Sequence, residues 1–410
     1  MVLARGGTPG FSRLRAVHPP STTASRSAAA AELERLLAEP PSEAARRADT
    51  VFDERNGDRP LVLYGAGGLG RQMHRALRAV GVTPLAFADR APTTSEVDGL
   101  PLLSLADAVQ RYGQDATFVV TVFNPSFPFL EGRAALEAAG CRHVLPWLPL
   151  GWKLGDALLP QYAAGRPEMV LEAADDVRRA FMLLDDDASR DEYLRQIRWR
   201  LHGDYEVLTA PLPVAEQYFS PDVVLVRDDE VFVDCGAYDG DTLAALLEHA
   251  GGSFARFVGF EPDPANLTAL HDRVAGLPDG LSERVEVVEA AVASTAGTVT
   301  FGGTGAAAGI ADAGELEVQT VVLDEVLEGP VTYLKMDIEG AELDALSGAE
   351  RTVARDRPVL TLCAYHAPDH IWRLPLAVDQ IADGYTYRLR RYGADCWDLI
   401  VYALPPGRAA

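Results

Sequence analysis

Apolar and polar positions along this chain repeat with two different periods, and the switches between them outline its elements. Residues 28–57 ("AAAAELERLLAEPPSEAARRADTVFDERNG") predict one or two short helices broken at the Pro pair. The stretch 59–92 then reads strand, glycine turn, helix, strand. Its helix carries Met73, Ala76, Leu77 and Val80 at helical spacing. "LPLLSLADAVQRYG", "ATFVVTVFN" and "GRAALEAAGCRHVLPWLPL" continue the alternation to residue 150. Between about 156 and 228 the pattern becomes helical, with Phe181, Leu184, Leu194, Ile197 and Leu201 as a buried stripe. The acids Asp185–Asp187 read there as a solvated helix end. "PLPVAEQYFSPDVVLVRDDE" follows as a loop and an edge strand.

From residue 229 the alternation restarts. Strands are predicted at "EVFVDCG", "RFVGFEPD", "VEVVEAAVA", "VTYLKMDIEG" and "PVLTLCAYH", and a closing antiparallel pair at "YTYRLRRYG" and "DLIVYALPP". Between the third and fourth lies a strand–loop–strand insertion. Strands that alternate with helices imply parallel sheets covered on both faces. The fold class is therefore α/β: a smaller Rossmann-like unit (31–155), a helical connector (156–228) and a sheet laid out as in class I methyltransferases (229–405). Residues 1–30 are expected to be a disordered tail; they are rich in Ala, Ser and Arg, and the first acid is Glu32.

Composition narrows the partners. A chain of 410 residues with 48% hydrophobic and 24% charged residues is an ordinary globular protein of two or three domains. A net charge of −23 disfavours nucleic acid and anionic membrane, which need clustered Lys and Arg. Apolar runs end well before the roughly 18 residues of a membrane span. Cys141, Cys235, Cys363 and Cys396 show no metal-ligand spacing, which suits buried thiols in a reduced, cytoplasmic setting.

Two glycine turns follow strands. "GAGGLG" (65–70) has the dinucleotide fingerprint, with Gly65, Gly67 and Gly70, and Asp89 about 20 residues on at a strand end. Arg71 and the helix N-terminus suit a phosphate. The same glycines also serve close strand–helix packing, and no hydride-transfer machinery follows them. A nucleotide or nucleotide-sugar site and a purely structural turn are both open. "VDCGAYDG" differs: Asp234, Asp239 and Asp241 would repel a pyrophosphate, with no Lys or Arg in the loop. They suit a cationic ligand without phosphate, as S-adenosylmethionine is. Glu261 ends the next strand, where its two oxygens match a ribose diol, and Glu289–Val292 end the third, beside an adenine. The expected cofactor contacts are thus Asp234, Gly236, Ala237, Tyr238, Gly240, Asp241, Thr242, Glu261, Pro262, Ala290 and Ala291.

Further on, Asp337 and Glu339 end the fourth strand and face the cleft. The pair suits Mg²⁺ ligation (with Asp337 the candidate ligand), positioning of a hydroxyl, or removal of its proton. Lys335 on the same strand is expected to pair with an acid. His366, at the end of the fifth strand, is the best-placed neutral-pH base. Asp369 and His370 read as loop residues shaping the substrate side.

At "FVDCGAYDGDT", "FEPDPAN", "EAAVAS", "LDEVL", "YLKMDIEGAELDALSGA" and "YHAPDHIWRLP" the sequence resembles the FkbM family of S-adenosylmethionine-dependent methyltransferases, over about 215–404. "EQYF" also resembles members with an N-terminal extension. The resemblance implies methyl-ether formation on hydroxyls of sugars, polyketides or other secondary metabolites, Mg²⁺-assisted in some members. It places Asp234, Gly236, Asp241 and Glu261 on the cofactor, and Asp337, Glu339 and His366 toward the acceptor. The small "GTGAAAG" loop (303–309) departs from the more polar loop of relatives. The expected partner is a small-molecule acceptor, with a nucleotide or nucleotide-sugar at the N-terminal unit as a further possibility and a homo-oligomer another. The alternative function is a nucleotide-sugar- or NAD-binding protein acting through the first glycine turn.

Overall fold

A computed structural model describes residues 23–278, 280–302, 309–310 and 316–410. Helices α1 (Thr23–Leu36) and α2 (Pro41–Asn56) lead into the first sheet. Pro at its first turn starts α2, and Gly57, in the left-handed region, ends it. The sheet is built from β1 (Leu61–Tyr64), β2 (Ala86–Asp89), β3 (Glu96–Val97), β4 (Leu100–Ser104), β5 (Thr117–Val120) and β6 (His143–Pro146). They lie in the order β3-β4-β2-β1-β5-β6, parallel except for the β3–β4 hairpin. The helices between them are α3 (Gly68–Ala79), α4 (Leu105–Tyr112) and α5 (Phe129–Ala139). Strand order reverses beside β1, so the first glycine turn sits at a topological switch point.

The connector holds α6 (Trp147–Leu154), α7 (Glu168–Glu172), α8 (Ala174–Leu183) and α9 (Asp187–His202). The second sheet contains β7 (Val231–Cys235), β8 (Arg256–Phe260) and β9 (Val285–Val288). A small side sheet is inserted next: β10 (Ala291–Val292), β11 (Gly297–Gly302), β12 (Gly309–Ile310) and β13 (Leu316–Val321). The main sheet resumes with β14 (Tyr333–Met336), β15 (Val359–Cys363), β16 (Thr386–Arg391) and β17 (Leu399–Leu404). Its order is β16-β17-β15-β14-β7-β8-β9, with only β17 antiparallel to its neighbours among the described residues. Helices α10 (Asp241–His249), α11 (Pro264–Ala275), α12 (Leu323–Val326), α13 (Glu342–Ser347), α14 (Glu350–Asp356) and α15 (His370–Ile381) complete the chain. This is the α/β class expected, with the methyltransferase-type sheet in place.

Three local expectations change. Helix α1 begins at Thr23, within the stretch read as a tail, and buries Leu33 and Leu36; residues 1–22 lie outside the described residues. Residues 211–230 form no edge strand. Pro213 opens a short 3₁₀ turn at Val214–Glu216, and Val224 makes only an isolated bridge to Ala409. Asp186 is not a solvated end: it caps α9 through the Ser189 amide and meets Arg390 at 2.7 Å.

Both sheets share one continuous core. The loop after β5 is tied to the β16–β17 turn by Ala394 N donating to the Pro125 carbonyl at 3.1 Å, and Phe123 lies 4.9 Å from Trp397. Buried Arg391 meets Glu192 of α9 at 2.7 Å. All four cysteines are buried and unpaired. Among the described residues no helix is long and apolar enough to cross a membrane.

Candidate functional site

A cleft of about 530 Å³ opens at the carboxyl ends of β7, β8, β14 and β15. Its floor is the second glycine turn. Gly236 has φ +85°, and a Cβ there would stand 2.0 Å from the Asp337 carbonyl oxygen. Gly240 has φ +82° and lies under Arg273, so side chains are barred at both positions. Tyr238 takes φ +47°, a conformation rare for a bulky residue, and lines the cleft.

Glu261 is the most firmly set of the expected cofactor residues. Its carboxylate accepts from the Tyr238 amide at 2.9 Å, the Asp263 amide at 2.9 Å and Asn266 Nδ2 at 3.2 Å. These donors fix the carboxylate at the cleft wall and leave it acceptor capacity for a diol. Asp241 and Thr242 line the cleft at the start of α10, and Pro262, Ala290 and Ala291 give it an apolar wall with Phe260 and Val292. Ala237 and Gly240 shape the turn from behind the lining.

Asp234 does not face the cleft. It is fully buried, and Lys335 Nζ donates to it at 2.8 Å and to the Gly236 carbonyl at 2.9 Å. Register puts the two residues side by side on β7 and β14. Burial raises the Asp234 carboxyl to about 6, against the pull of Lys335. Burial opposes the Lys335 charge too, yet Asp234, Asp337 and Asp241 hold the ammonium above its ordinary value. Lys335 therefore has the acid partner expected, and Asp234 acts on the turn through it. Asp239 is also turned away, accepting from Arg273 of α11 at 3.3 Å. That compensating cation lies outside the loop, where the local sequence did not display it.

The exit of β14 carries the second acid group. Asp337 accepts from the Tyr218 hydroxyl at 2.7 Å, with His366 Nε2 3.4 Å away. Burial works against its charge, but Lys335, His366 and Tyr218 more than offset it and keep its pKa below the ordinary value. Glu339, at φ +55°, lies 3.7 Å from His366 Nε2. Burial, with Asp337 and Glu342 adding to it, raises Glu339 to about 7 despite His366. Strained backbone at two cleft residues, Tyr238 and Glu339, is typical of functional turns.

His366 corrects the sequence expectation. Its side chain is buried behind the cleft lining. Nδ1 meets Glu342 at 2.6 Å, and Nε2 faces Asp337 and Glu339. Burial disfavours the charged ring, but Glu342, Asp337 and Glu339 outweigh it and raise His366 to about 9. The carboxylates therefore favour the charged ring, while Glu339, whose burial favours its protonated form, stands beside it in the cleft lining. Glu342 was missed. It is wholly buried, accepts the Ile338 amide at 3.0 Å, and meets His370 at 3.2 Å, so the two histidines hold its pKa far down despite burial. His370 is thus a buried partner, whereas Asp369 pairs with Arg373 at 3.0 Å. Tyr162, Tyr218 and Trp397 also line the cleft. Tyr218 lay in the quoted "EQYF"; the other two had no local signature.

Mg²⁺ does not fit these residues. Asp337, Glu339 and Glu342 all border the His366 ring, which fills the space between them. Among the described residues no group of three or more His, Cys, Asp or Glu side chains is arranged to hold a metal. The "GTGAAAG" loop lies outside the described residues, apart from Gly309.

In the first glycine turn, a Cβ at Gly70 would stand 2.0 Å from the Gly65 carbonyl oxygen, while Gly67 borders open space. Thr121 Oγ1 donates to that same carbonyl at 2.8 Å. Arg71 folds back onto the Ala66 carbonyl at 3.0 Å, and Asp89 accepts from the Ala66 amide at 3.5 Å. Gly65 and Gly70 thus meet a packing demand, and Arg71 is committed within the turn.

Residues 234–389 match the family model described as Methyltransferase FkbM domain. This segment is an FkbM methyltransferase domain. A solved methyltransferase FkbM from Methylobacillus flagellatus KT is similar in fold. It is 22% identical, with 93% of this chain and 99% of that one covered and a TM-score of 0.73. A putative rRNA methylase from Clostridium thermocellum is a more distant match: 14% identity, 49% of this chain, all of its own, TM-score 0.32. No curated protein sequence matches the chain. The FkbM methyltransferase domain contains Glu261, Asp337, Glu339, Glu342 and His366; Tyr162, Tyr218 and Trp397 lie outside the matched residues.

Proposed function

We propose that the protein is an S-adenosylmethionine-dependent O-methyltransferase acting on a hydroxyl of a sugar or secondary metabolite. The observation that carries this reading is the division of carboxylates along the cleft. Glu261 and Asp241 stand at one end beside an apolar wall, and Glu339, poised near neutrality, stands at the other. The basic side chain in the lining, Lys335, is committed to Asp234. Such a cleft favours a cation and disfavours a pyrophosphate.

When bound, S-adenosylmethionine supplies a methyl group on a positively charged sulfur. Glu261 would hold its ribose hydroxyls, and Ala290, Ala291 and Pro262 its adenine. Asp241 is placed to attract the positive charge. The acceptor hydroxyl would be oriented by Asp337 and lose its proton to Glu339 as it attacks the methyl in line. His366, kept cationic by Glu342, steadies both cleft carboxylates without taking a proton itself.

The test is a thermal-shift and calorimetric panel of S-adenosylmethionine, S-adenosylhomocysteine, NAD(H) and UDP-sugars, followed by a labelled-methyl screen against hydroxylated metabolites. Stabilisation by the sulfonium cofactor and its product, with label passing to an oxygen, is expected. A response to NAD(H) or UDP-sugars alone would overturn the reading in favour of the first glycine turn.

A further inference from the structure

The aromatic side of the cleft is built largely by residues outside the FkbM methyltransferase domain. Phe123 comes from the loop after β5, Tyr162 from between α6 and α7, and Trp397 from the β16–β17 turn. Trp397 is the hub: its ring lies 4.9 Å from Phe123, 4.5 Å from Tyr162 and 5.8 Å from Tyr365. The group is braced from behind. Trp147 packs 5.0 Å from Phe123, and Phe129 N donates to Asp395 at 3.3 Å.

These rings stand on the Glu339 side. Tyr162 lines the cleft beside Glu339, whose charge helps burial push the tyrosine pKa up, and its ring lies 6.2 Å from His366. Glu261, by contrast, leaves the sheet at β8, separated from β14 by β7. At the usual spacing of adjacent strands, the two ends of the cleft are about 10 Å apart. The aromatic wall therefore borders the reacting end rather than the ribose end.

We propose that Phe123, Tyr162 and Trp397 form the acceptor-selecting wall, so that the N-terminal unit and the connector decide which acceptor a generic methyl-transfer cleft accepts. The inference rests on the methyl-transfer reading above. The chemistry of the wall names a class of acceptor. A saturated hydroxylated ring presents an apolar C–H face and a polar edge. Flat aromatic rings take the face, while Glu339 and Asp398 in the same lining take edge hydroxyls. An open-chain polyol has the hydroxyls but no fixed face.

The experiment offers labelled S-adenosylmethionine and full-length protein a set of methyl hexopyranosides, with sorbitol and mannitol as open-chain counterparts. Ring probes are expected to be methylated at least tenfold faster than the hexitols. Phe123→Ala should lower kcat/KM for the rings at least tenfold, with S-adenosylhomocysteine affinity within about twofold of the parent. If that variant loses S-adenosylhomocysteine binding through misfolding, Phe123→Leu, which keeps apolar bulk without a flat face, carries the same expectation. Equal turnover of rings and hexitols, or unchanged kcat/KM in the folded variant, overturns the inference and leaves methyl transfer standing. Cofactor binding with no ring probe turned over overturns it as well. Failure of the parent protein to bind S-adenosylhomocysteine is instead the failure of the underlying reading.

Discussion

At the scale of the residue, the cleft separates two carboxylates by environment alone. Asp337 keeps its charge because Lys335, His366 and Tyr218 surround it, whereas burial pushes Glu339 to about 7. A base must be unprotonated to act, so kcat should rise with pH through an ascending limb near 7. Glu339→Gln should lose that limb and about 10²-fold in kcat, measured as a pH–rate profile of methyl transfer. His366 governs stability instead. Its folded pKa of about 9 lies above the ordinary 6.5, so its contribution is fully present below 6.5 and fades as pH rises through 9. His366→Gln should flatten the dependence of Tm on pH across that window. It should also cost about 3–5 kcal/mol in denaturant titrations near pH 7, because buried Glu342 is left without the His366 ring that meets it at 2.6 Å. A variant as stable as the parent at pH 7, with the parent's slope, would remove His366 from this role. For the cofactor end, Glu261→Gln replaces an acceptor oxygen by an amide donor that faces the Tyr238 or Asp263 amide. S-adenosylhomocysteine affinity should fall at least about tenfold by calorimetry.

At the scale of the element, the two glycine turns look alike in sequence and differ in what their glycines do. In the second turn Gly236 lets β7 pass against the exit of β14: a Cβ would strike the Asp337 carbonyl, and φ is +85°. Gly236→Ala should displace that strand exit and abolish cofactor binding together with a large loss of Tm. In the first turn the prediction divides. Gly70→Ala meets the Gly65 carbonyl and should cost more than about 2 kcal/mol, while Gly67→Ala meets nothing within 4 Å and should change stability by less than about 0.5 kcal/mol. Equal costs in thermal melts would contradict the packing account. Strand ends and turns were legible because they are local: apolar runs, a glycine turn after β1 and β7, an acid just past the ends of β8 and β14. Glu261 was legible for that reason. The state of His366 was not, since it depends on Glu342 and His370, brought together only when α13 and α15 pack beside β15. Asp234 belonged to the same blind spot, for its partner Lys335 sits 101 positions away and only parallel register makes them neighbours. The 211–230 stretch misled in the other direction, because the apolar run Val223–Val226 suggested a strand where the chain makes only an isolated bridge to Ala409.

At the scale of the whole molecule, the aromatic side of the cleft exists only because three distant parts of the chain meet there. The N-terminal sheet gives the loop at Phe123, the connector gives Tyr162, and the last hairpin gives Trp397. The contacts that hold these parts are interior ones. Arg391 of β16 is buried against Glu192 of α9 at 2.7 Å, and its guanidinium also donates to the Gly393 carbonyl at 2.7 Å and the Thr209 carbonyl at 2.6 Å. Arg390 beside it bonds Asp186 at 2.7 Å and Asp222 at 2.9 Å. With hydrophobic packing continuous between the sheets, separating the two halves would expose both apolar surface and unpaired charge. Neither half then has a reason to melt first. Full-length protein should show one cooperative calorimetric transition, with calorimetric and van't Hoff enthalpies in agreement. Glu192→Ala, which strands Arg391 in the interior, should lower the stability of that single transition by about 3–5 kcal/mol rather than split it. Two resolved transitions in the parent protein would show that the sheets fold as independent units. In that case the aromatic wall would be a docked surface, able to open while the FkbM methyltransferase domain stays folded. A single transition ties acceptor selection to the integrity of the whole chain, because the wall could then be lost only by unfolding everything that supports it.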